Sequence, residues 1–398
     1  MRYRLIWILL AVITGAAPLH PLAAQQADTS AAGQQMAGAT QQPGWVKRVA
    51  SNAFNNYFND TTDPEKAKFL VYPTLAYAPE TSWELGLSSL MLYYARRDTT
   101  NRLSEVSALM FATLNQQYGA WFDHFLYSHQ DKWFFLGRMR FQRFPLLYYG
   151  IGPSTLEEDK VIVDADYVLI KERVLRKIRP NFFGGLEIDF QQVSNTSMEA
   201  GNGSLPKPLG ADGSRNIGIG AGLVYDSRHN ALNVRKGAFA ELAYLHYNPK
   251  LGSTYEFQNL SMDMRYYLPV RRNQVWATQV YGQFLQGDVP FNQMALMGGE
   301  SLMRGYYTGR FRDKNYIAAQ TEYRFLPFSF SKRWGAAVFA SAGTVAPTIG
   351  AFNFKHIKPA VGGGIRYLIF PKKDIFLRGD FGITPEGINF YLYTGEAF

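Results

Sequence analysis

Residues 296–312 read LMGGESLMRGYYTGRFR, and the fold turns on what this stretch is. It is too long for a hairpin turn and too rich in glycine for a helix. It separates two strand-like runs, Val275–Gln286 and Tyr316–Phe325. Gly298, Gly299, Gly305 and Gly309 allow tight bends, because glycine tolerates positive φ. Arg304 sits inside the tight Met303-Arg304-Gly305-Tyr306 turn. Taken alone, an arginine on such a loop is a solvated surface residue. Its surroundings argue for another place.

On both sides the dominant pattern is alternation with a period of two, the mark of a strand with unlike faces. In Tyr255–Leu268, Asn259, Ser261, Asp263 and Arg265 fall on one face, and Leu260, Met262, Met264, Tyr266 and Leu268 on the other. In Tyr316–Phe325, Gln320, Glu322 and Arg324 oppose Ile317, Ala319, Tyr323 and Phe325. In Trp133–Phe144, Arg138, Arg140 and Gln142 oppose Trp133, Phe135, Met139 and Phe141. A soluble sandwich also alternates, but on shorter strands with Lys, Glu and Thr outside. Runs of roughly ten residues with aromatics near their ends suit tilted strands crossing a bilayer. Mixed-sign polar faces suit a wet lumen. The expected fold is all-β: a transmembrane antiparallel β-barrel over residues 69–398.

About sixteen strands are expected from Phe69 to Ile388, with starts near Trp121, Trp133, Val161, Arg179, Asn216 and Tyr316 among them. Short connections, Arg96–Asn101, Ser128–Lys132, Pro269–Asn273 and Pro371–Asp374, alternate with long ones, Pro145–Glu158, Ser194–Arg215, Asp288–Arg312 and Thr344–His356. Short periplasmic turns and long external loops are the barrel rule. The opening stretch is then the sixth external loop, and both termini are periplasmic.

Ahead of the barrel, residues 1–24 have the form of a signal peptide: Arg2 and Arg4, the apolar run Leu5–Ile13, and Leu22-Ala23-Ala24. Residues 25–68 read as a disordered linker, with a short helix over Trp45–Phe58 as one reading. The chain has no cysteine, which removes disulfides, thiolate zinc sites and cysteine catalysis. Its 41 Lys and Arg exceed 32 Asp and Glu by nine, or by seven without Arg2 and Arg4. That excess is scattered, so no nucleic-acid partner is expected.

The stretch Gly298-Gly299-Glu300 followed by Arg304-Gly305-Tyr306 resembles the signature of the BamA/TamA-like outer-membrane barrels, the bacterial surface antigen superfamily. Met303 stands where that family has valine. Tyr149-Gly150-Ile151-Gly152-Pro153-Ser154, Tyr225-Asp226-Ser227-Arg228 leading to Lys236-Gly237, and Gly362-Gly363-Gly364-Ile365-Arg366-Tyr367 are similar to the family in the same order. The resemblance implies that the sixth loop folds into the lumen and that Arg304 meets acidic residues on later strands. Glu322 and Asp380 match the acidic positions and face inward by alternation. Ser341 departs from the pattern, which has Asp there. The family's periplasmic POTRA modules find no counterpart, so its assembly role is not simply inherited.

Three functions are weighed. In an assembly or translocation barrel, the working part is the seam between the first and last strands, with Pro73, Phe390, Gly395 and Phe398. Its partners are outer-membrane lipid, client outer-membrane proteins and a separate periplasmic protein, and the cell's barrel-assembly machinery inserts it. In a passive channel, Arg138, Arg140, Arg366 and Arg378 make the lumen basic and favour anions; alternatively these arginines pair with Asp263, Glu322 and Asp380. The third is an outer-membrane hydrolase, but no HExxH or GxSxG pattern occurs. No cofactor or metal is expected. The expected site is the Gram-negative outer membrane.

Overall fold

A computed structural model of the protein describes residues 63, 65–78, 82–114, 116–198 and 205–398. The expected signal peptide and the Trp45–Phe58 helix lie outside the described residues. Eighteen strands follow in chain order. They are β1 Lys68–Ala78, β2 Ser82–Tyr94, β3 Leu103–Thr113, β4 Tyr118–Tyr127, β5 Trp133–Tyr148 and β6 Val161–Arg179. Next come β7 Phe182–Met198, β8 Ser214–Asp226, β9 Gly237–Tyr247, β10 Phe257–Arg271, β11 Gln274–Gly287, β12 Ala295–Met297 and β13 Phe311–Asp313. The last are β14 Asn315–Phe325, β15 Trp334–Ala346, β16 Lys358–Phe370, β17 Ile375–Thr384 and β18 Gly387–Thr394.

Sixteen of them form one sheet in simple chain order, each antiparallel to the next, while β12 and β13 pair only with each other inside the β11–β14 connection. Such neighbour-to-neighbour order is what short turns between amphipathic strands dictate. The two ends of the sheet are brought together: Leu70, Leu90, Leu92 and Leu103 of β1–β3 share one buried cluster with Ile369, Phe370 and Ile375 of β16 and β17. The sheet is therefore an up-and-down barrel of sixteen strands.

Register fixes which residues meet inside. Ala277 lies opposite Glu322, Glu322 opposite Phe339, Gly364 opposite Asp380 and Asp380 opposite Tyr391. The alternate positions point out. On β10, Leu260, Met264, Tyr266 and Leu268 are exposed, as Phe69, Leu85 and Leu87 are on β1 and β2. A soluble protein would not leave such a belt uncovered; in a bilayer it is the lipid-facing wall.

Some boundaries differ from those expected. β4 begins at Tyr118 rather than Trp121, and Arg179 closes β6 rather than opening β7, because the chain turns at Asn181 with φ 62°. Pro145 belongs to β5, opposite Asp164, and not to a loop. There it sits beyond the last β4–β5 pair, Tyr118 with Arg143, so its missing N–H deprives no partner on β4. The last strand ends at Thr394 instead of Phe398, for reasons given below.

Candidate functional site

Between β12 and β13 the sixth loop turns back on itself, with the Gly299 N–H donating to the Tyr306 carbonyl at 3.1 Å and that of Gly309 to the Met297 carbonyl at 3.0 Å. Met303 takes φ 55° and is fully buried. An unbranched side chain tolerates that conformation more readily than the β-branched valine of the resembling motif. Arg304 and Tyr306 are buried with it.

The Arg304 guanidinium meets Glu322 of β14 through Nη2, and its Nη1 donates to Asp380 Oδ2 of β17 at 2.6 Å. Its carbon lies 3.4 Å from the centroid of the Phe339 ring. Small residues make the room. A Cβ at Gly362 would strike the Phe339 ring, and one at Gly364 would strike the Asp380 carboxylate.

The carboxylates are shared. Glu322 Oε1 accepts from Arg324 Nε at 2.6 Å, and Asp380 Oδ2 from Arg378 Nη1 at 2.9 Å. Arg366 reaches Asp380 and also donates to Glu396 Oε2 at 3.0 Å. Arg378 further donates to the Glu300 carbonyl at 3.1 Å, and Arg324 to the Phe398 main-chain oxygen at 2.9 Å. Four guanidiniums thus face three carboxylates; backbone oxygens of Glu300, Ile365 and Phe398 accept further donors, while one nitrogen of each arginine makes no hydrogen bond among the described residues. Arg366 and Arg378, weighed as lining a basic pore, are instead locked in this network. Arg138 and Arg140 lie apart from it, on β5, both paired with Asp123 of β4 at 3.3 and 2.6 Å.

The loop backbone is also gripped. A Cβ on Gly382 would come within 2.6 Å of the Gly305 nitrogen, so β17 and the loop meet main chain to main chain. The Gly305 N–H donates to the Tyr391 hydroxyl at 3.0 Å, and Asn389 Nδ2 donates to the Gly305 carbonyl at 2.5 Å. Asn389 and Tyr391 belong to the final strand. Neither was picked out in the sequence, though the alternation that turns Ile388, Phe390 and Leu392 outward would have placed both inside. Arg324, inward by the alternation of β14, was missed as a network member in the same way, and Glu396 was missed because its place depends on the turn at Gly395.

Further out, the Gly152 N–H donates to the Arg312 carbonyl at 2.8 Å, tying the Tyr149–Ser154 stretch to loop six. Arg310 pairs with Glu386 at 2.7 Å. Arg312 has no carboxylate partner among the described residues and donates instead to the carbonyls of Leu147 at 2.5 Å and Phe291 at 3.2 Å. Burial lowers its proton affinity to about 10. Burial likewise pushes the Tyr306 phenol up to about 12, and its hydroxyl donates to the Pro359 carbonyl at 3.1 Å.

Ser341 faces this region from β15, but its hydroxyl donates to the Ala360 carbonyl at 3.4 Å. Glu322 and Asp380 take the guanidinium without it. Of the seam residues, Pro73 and Phe390 lie on the outer wall. Gly395, at φ 87°, ends β18 and turns the chain inward, so Phe398 is buried beside Val234, Tyr267 and Val275 instead of lying on the seam. Among the described residues, no group of His, Asp and Glu is disposed to hold a metal ion.

A model of the Omp85 superfamily domain matches residues 129–369, more than half of the chain. Among solved structures, BamA from Haemophilus ducreyi lacking POTRA domains 1–3 aligns at 12% identity with a TM-score of 0.52, covering 91% of this chain and 79% of that one. CdiB from Escherichia coli aligns at 10% identity with a TM-score of 0.54, over 84% of this chain and 63% of its own. At these identities the likeness is one of fold. No curated protein matches the sequence.

Proposed function

The chain belongs to the Omp85 superfamily, and from that premise we propose that this outer-membrane barrel of the insertion and translocation type works at the seam between β1 and β18. The observation that carries the proposal is the grip on Gly305: the lumenal loop is bonded to Asn389 and Tyr391, two side chains of the strand that forms one side of the seam. Loop seat and seam strand are one mechanical unit.

The seam is built for weak pairing. β18 spans only eight residues before Gly395 bends the chain away. Pro73 lacks the N–H that a ladder needs. An unpaired edge offers backbone donors and acceptors to an incoming strand, so a client polypeptide can add to it. Both termini face the periplasm in this reading, where a client or a separate periplasmic protein would arrive. No step requires bond-making chemistry, so the barrel is read as non-enzymatic.

Proteoliposomes holding the full chain test this directly. An unfolded eight-stranded outer-membrane protein should fold into them faster than into empty vesicles, followed by its heat-modifiable gel mobility. Equal rates would sink the proposal. One observation favours a second reading, a small-solute channel: the Arg138 side chain is 61% exposed within the lumen on the β4–β5 wall. Stepwise anion-selective currents in planar bilayers, with no acceleration of folding, would put that reading first.

A further inference from the structure

We propose that the pocket where β2 ends beside the segment entering β1 is a binding site for the phosphate headgroup of an anionic phospholipid. The pocket has a volume of about 450 Å³, and its lining holds the cations Lys66, Arg96 and Arg97, one acid, Glu65, and the side chains of Met91, Tyr93 and Tyr94. That is the size of a small-ligand site. One wall, Met91 and Tyr93, belongs to the outward row of β2 that continues Leu85 and Leu87, so the pocket opens onto the lipid-facing surface.

The turn presents its cations deliberately. Arg96 and Arg97 have φ 56° and 60°, left-handed backbone that non-glycine residues seldom adopt. The conformation is held from within: Asn101 Nδ2 donates to the carbonyls of Ala95 and Asp98 at 3.0 and 3.2 Å. The acid on this turn, Asp98, is occupied by the Thr100 N–H and hydroxyl at 2.9 and 2.7 Å. Both arginine side chains are exposed and have no partner among the described residues. The turn at Gln130 and Asp131 has the same left-handed backbone, but there the groups are used inside the protein: Asp131 accepts from the Arg102 N–H and the Gln130 carbonyl from Lys177. A fourth cation lies beside these residues, since Lys373 Nζ sits 5.6 Å from the Tyr94 ring and 3.4 Å from the Lys66 carbonyl.

Chemistry selects the occupant. Guanidiniums present forked donors that match phosphate oxygens. Tyrosine favours the headgroup level of a membrane, and Met91 and Tyr93 offer an apolar track for acyl chains. A short-turn rim on the periplasmic side, as proposed above, places the site in the inner leaflet. The site adjoins β1, so a bound lipid would border the seam, yet its occupancy is tested independently of client folding.

The test uses the purified full chain in non-ionic detergent, native mass spectrometry, and dioleoyl phosphatidylglycerol against dioleoyl phosphatidylcholine at equal concentration. The wild type should retain phosphatidylglycerol preferentially. R96Q/R97Q should lower that retention by about thirtyfold, as loss of two cations beside an anionic lipid implies. R271Q/R272Q, an exposed arginine pair on another short turn, should not. Equal loss in both variants, or no preference for phosphatidylglycerol in the wild type, would overturn the proposal. Displacement of the lipid by millimolar inorganic phosphate would overturn it in favour of a site for aqueous phosphate. Should R96Q/R97Q lose its heat-modifiable mobility, a photo-crosslinking residue at Met91 replaces it. Its yield with phosphatidylglycerol in mixed vesicles should exceed that from Met110, an exposed outward position on β3, and equal yields would refute the site.

Discussion

Arg304, on a loop, donates to Asp380 of β17 at 2.6 Å and to Glu322 of β14, so one guanidinium bridges two barrel walls three strands apart. Both carboxylates are fully buried. The side-chain charges around it are unequal: Arg304, Arg324, Arg366 and Arg378 against Glu322, Asp380 and Glu396, which is 4 − 3 = +1.

That inequality predicts an order of severity. Removing one partner of a buried pair costs about 3–5 kcal/mol because it strands the other. E322Q leaves four guanidiniums facing two carboxylates, whereas R304Q leaves three facing three. E322Q should therefore destabilise the barrel more than R304Q. Urea midpoints of heat-modifiable mobility would show it, and the reverse order would contradict the network as drawn.

The backbone contact between Gly305 and Gly382 makes a separate prediction. G382A keeps every charge but puts a methyl against the Arg304 carbonyl. Overpacking of this kind costs about 1–3 kcal/mol, and the loop, being the softer partner, should lift. Trypsin added outside cells should then cut after Arg304 or Arg310 in G382A and spare the wild type.

The inward turn at Gly395 is testable through its last side chain. Phe398 packs 6.2 Å from the Tyr267 ring and under the Arg324 guanidinium at 4.9 Å. F398A removes a buried aromatic, at a cost of about 3–5 kcal/mol. Its effect should match that of a core residue in the urea midpoint. An effect under about 1 kcal/mol, well below that range, would mean the tail does not rest inside.

Much of this was legible beforehand because the period-two pattern is plain in strands such as β10 and β14. Glu322 and Asp380 were placed inward by parity, and loop six announced itself by four glycines between two strands. What stayed hidden was long-range. Nothing in Glu396 says that it bonds Arg366, since that depends on Gly395 reversing the chain. Asn389 and Tyr391 read as ordinary inward residues until the loop tip lies on them. Pro145 looked like a loop signal because its harmlessness depends on where β4 ends.

The most direct measurement of the central claim is a cross-link between loop six and the lumen wall that leaves the ion network untouched. The chain has no cysteine of its own, and Gln320 Nε2 donates to the Ser301 carbonyl at 2.9 Å. S301C/Q320C in native membranes should be joined efficiently by a short bifunctional maleimide. Absence of the link, with the thiol introduced at position 301 freely labelled by an impermeant maleimide from outside the cell, would leave loop six external and the seat empty.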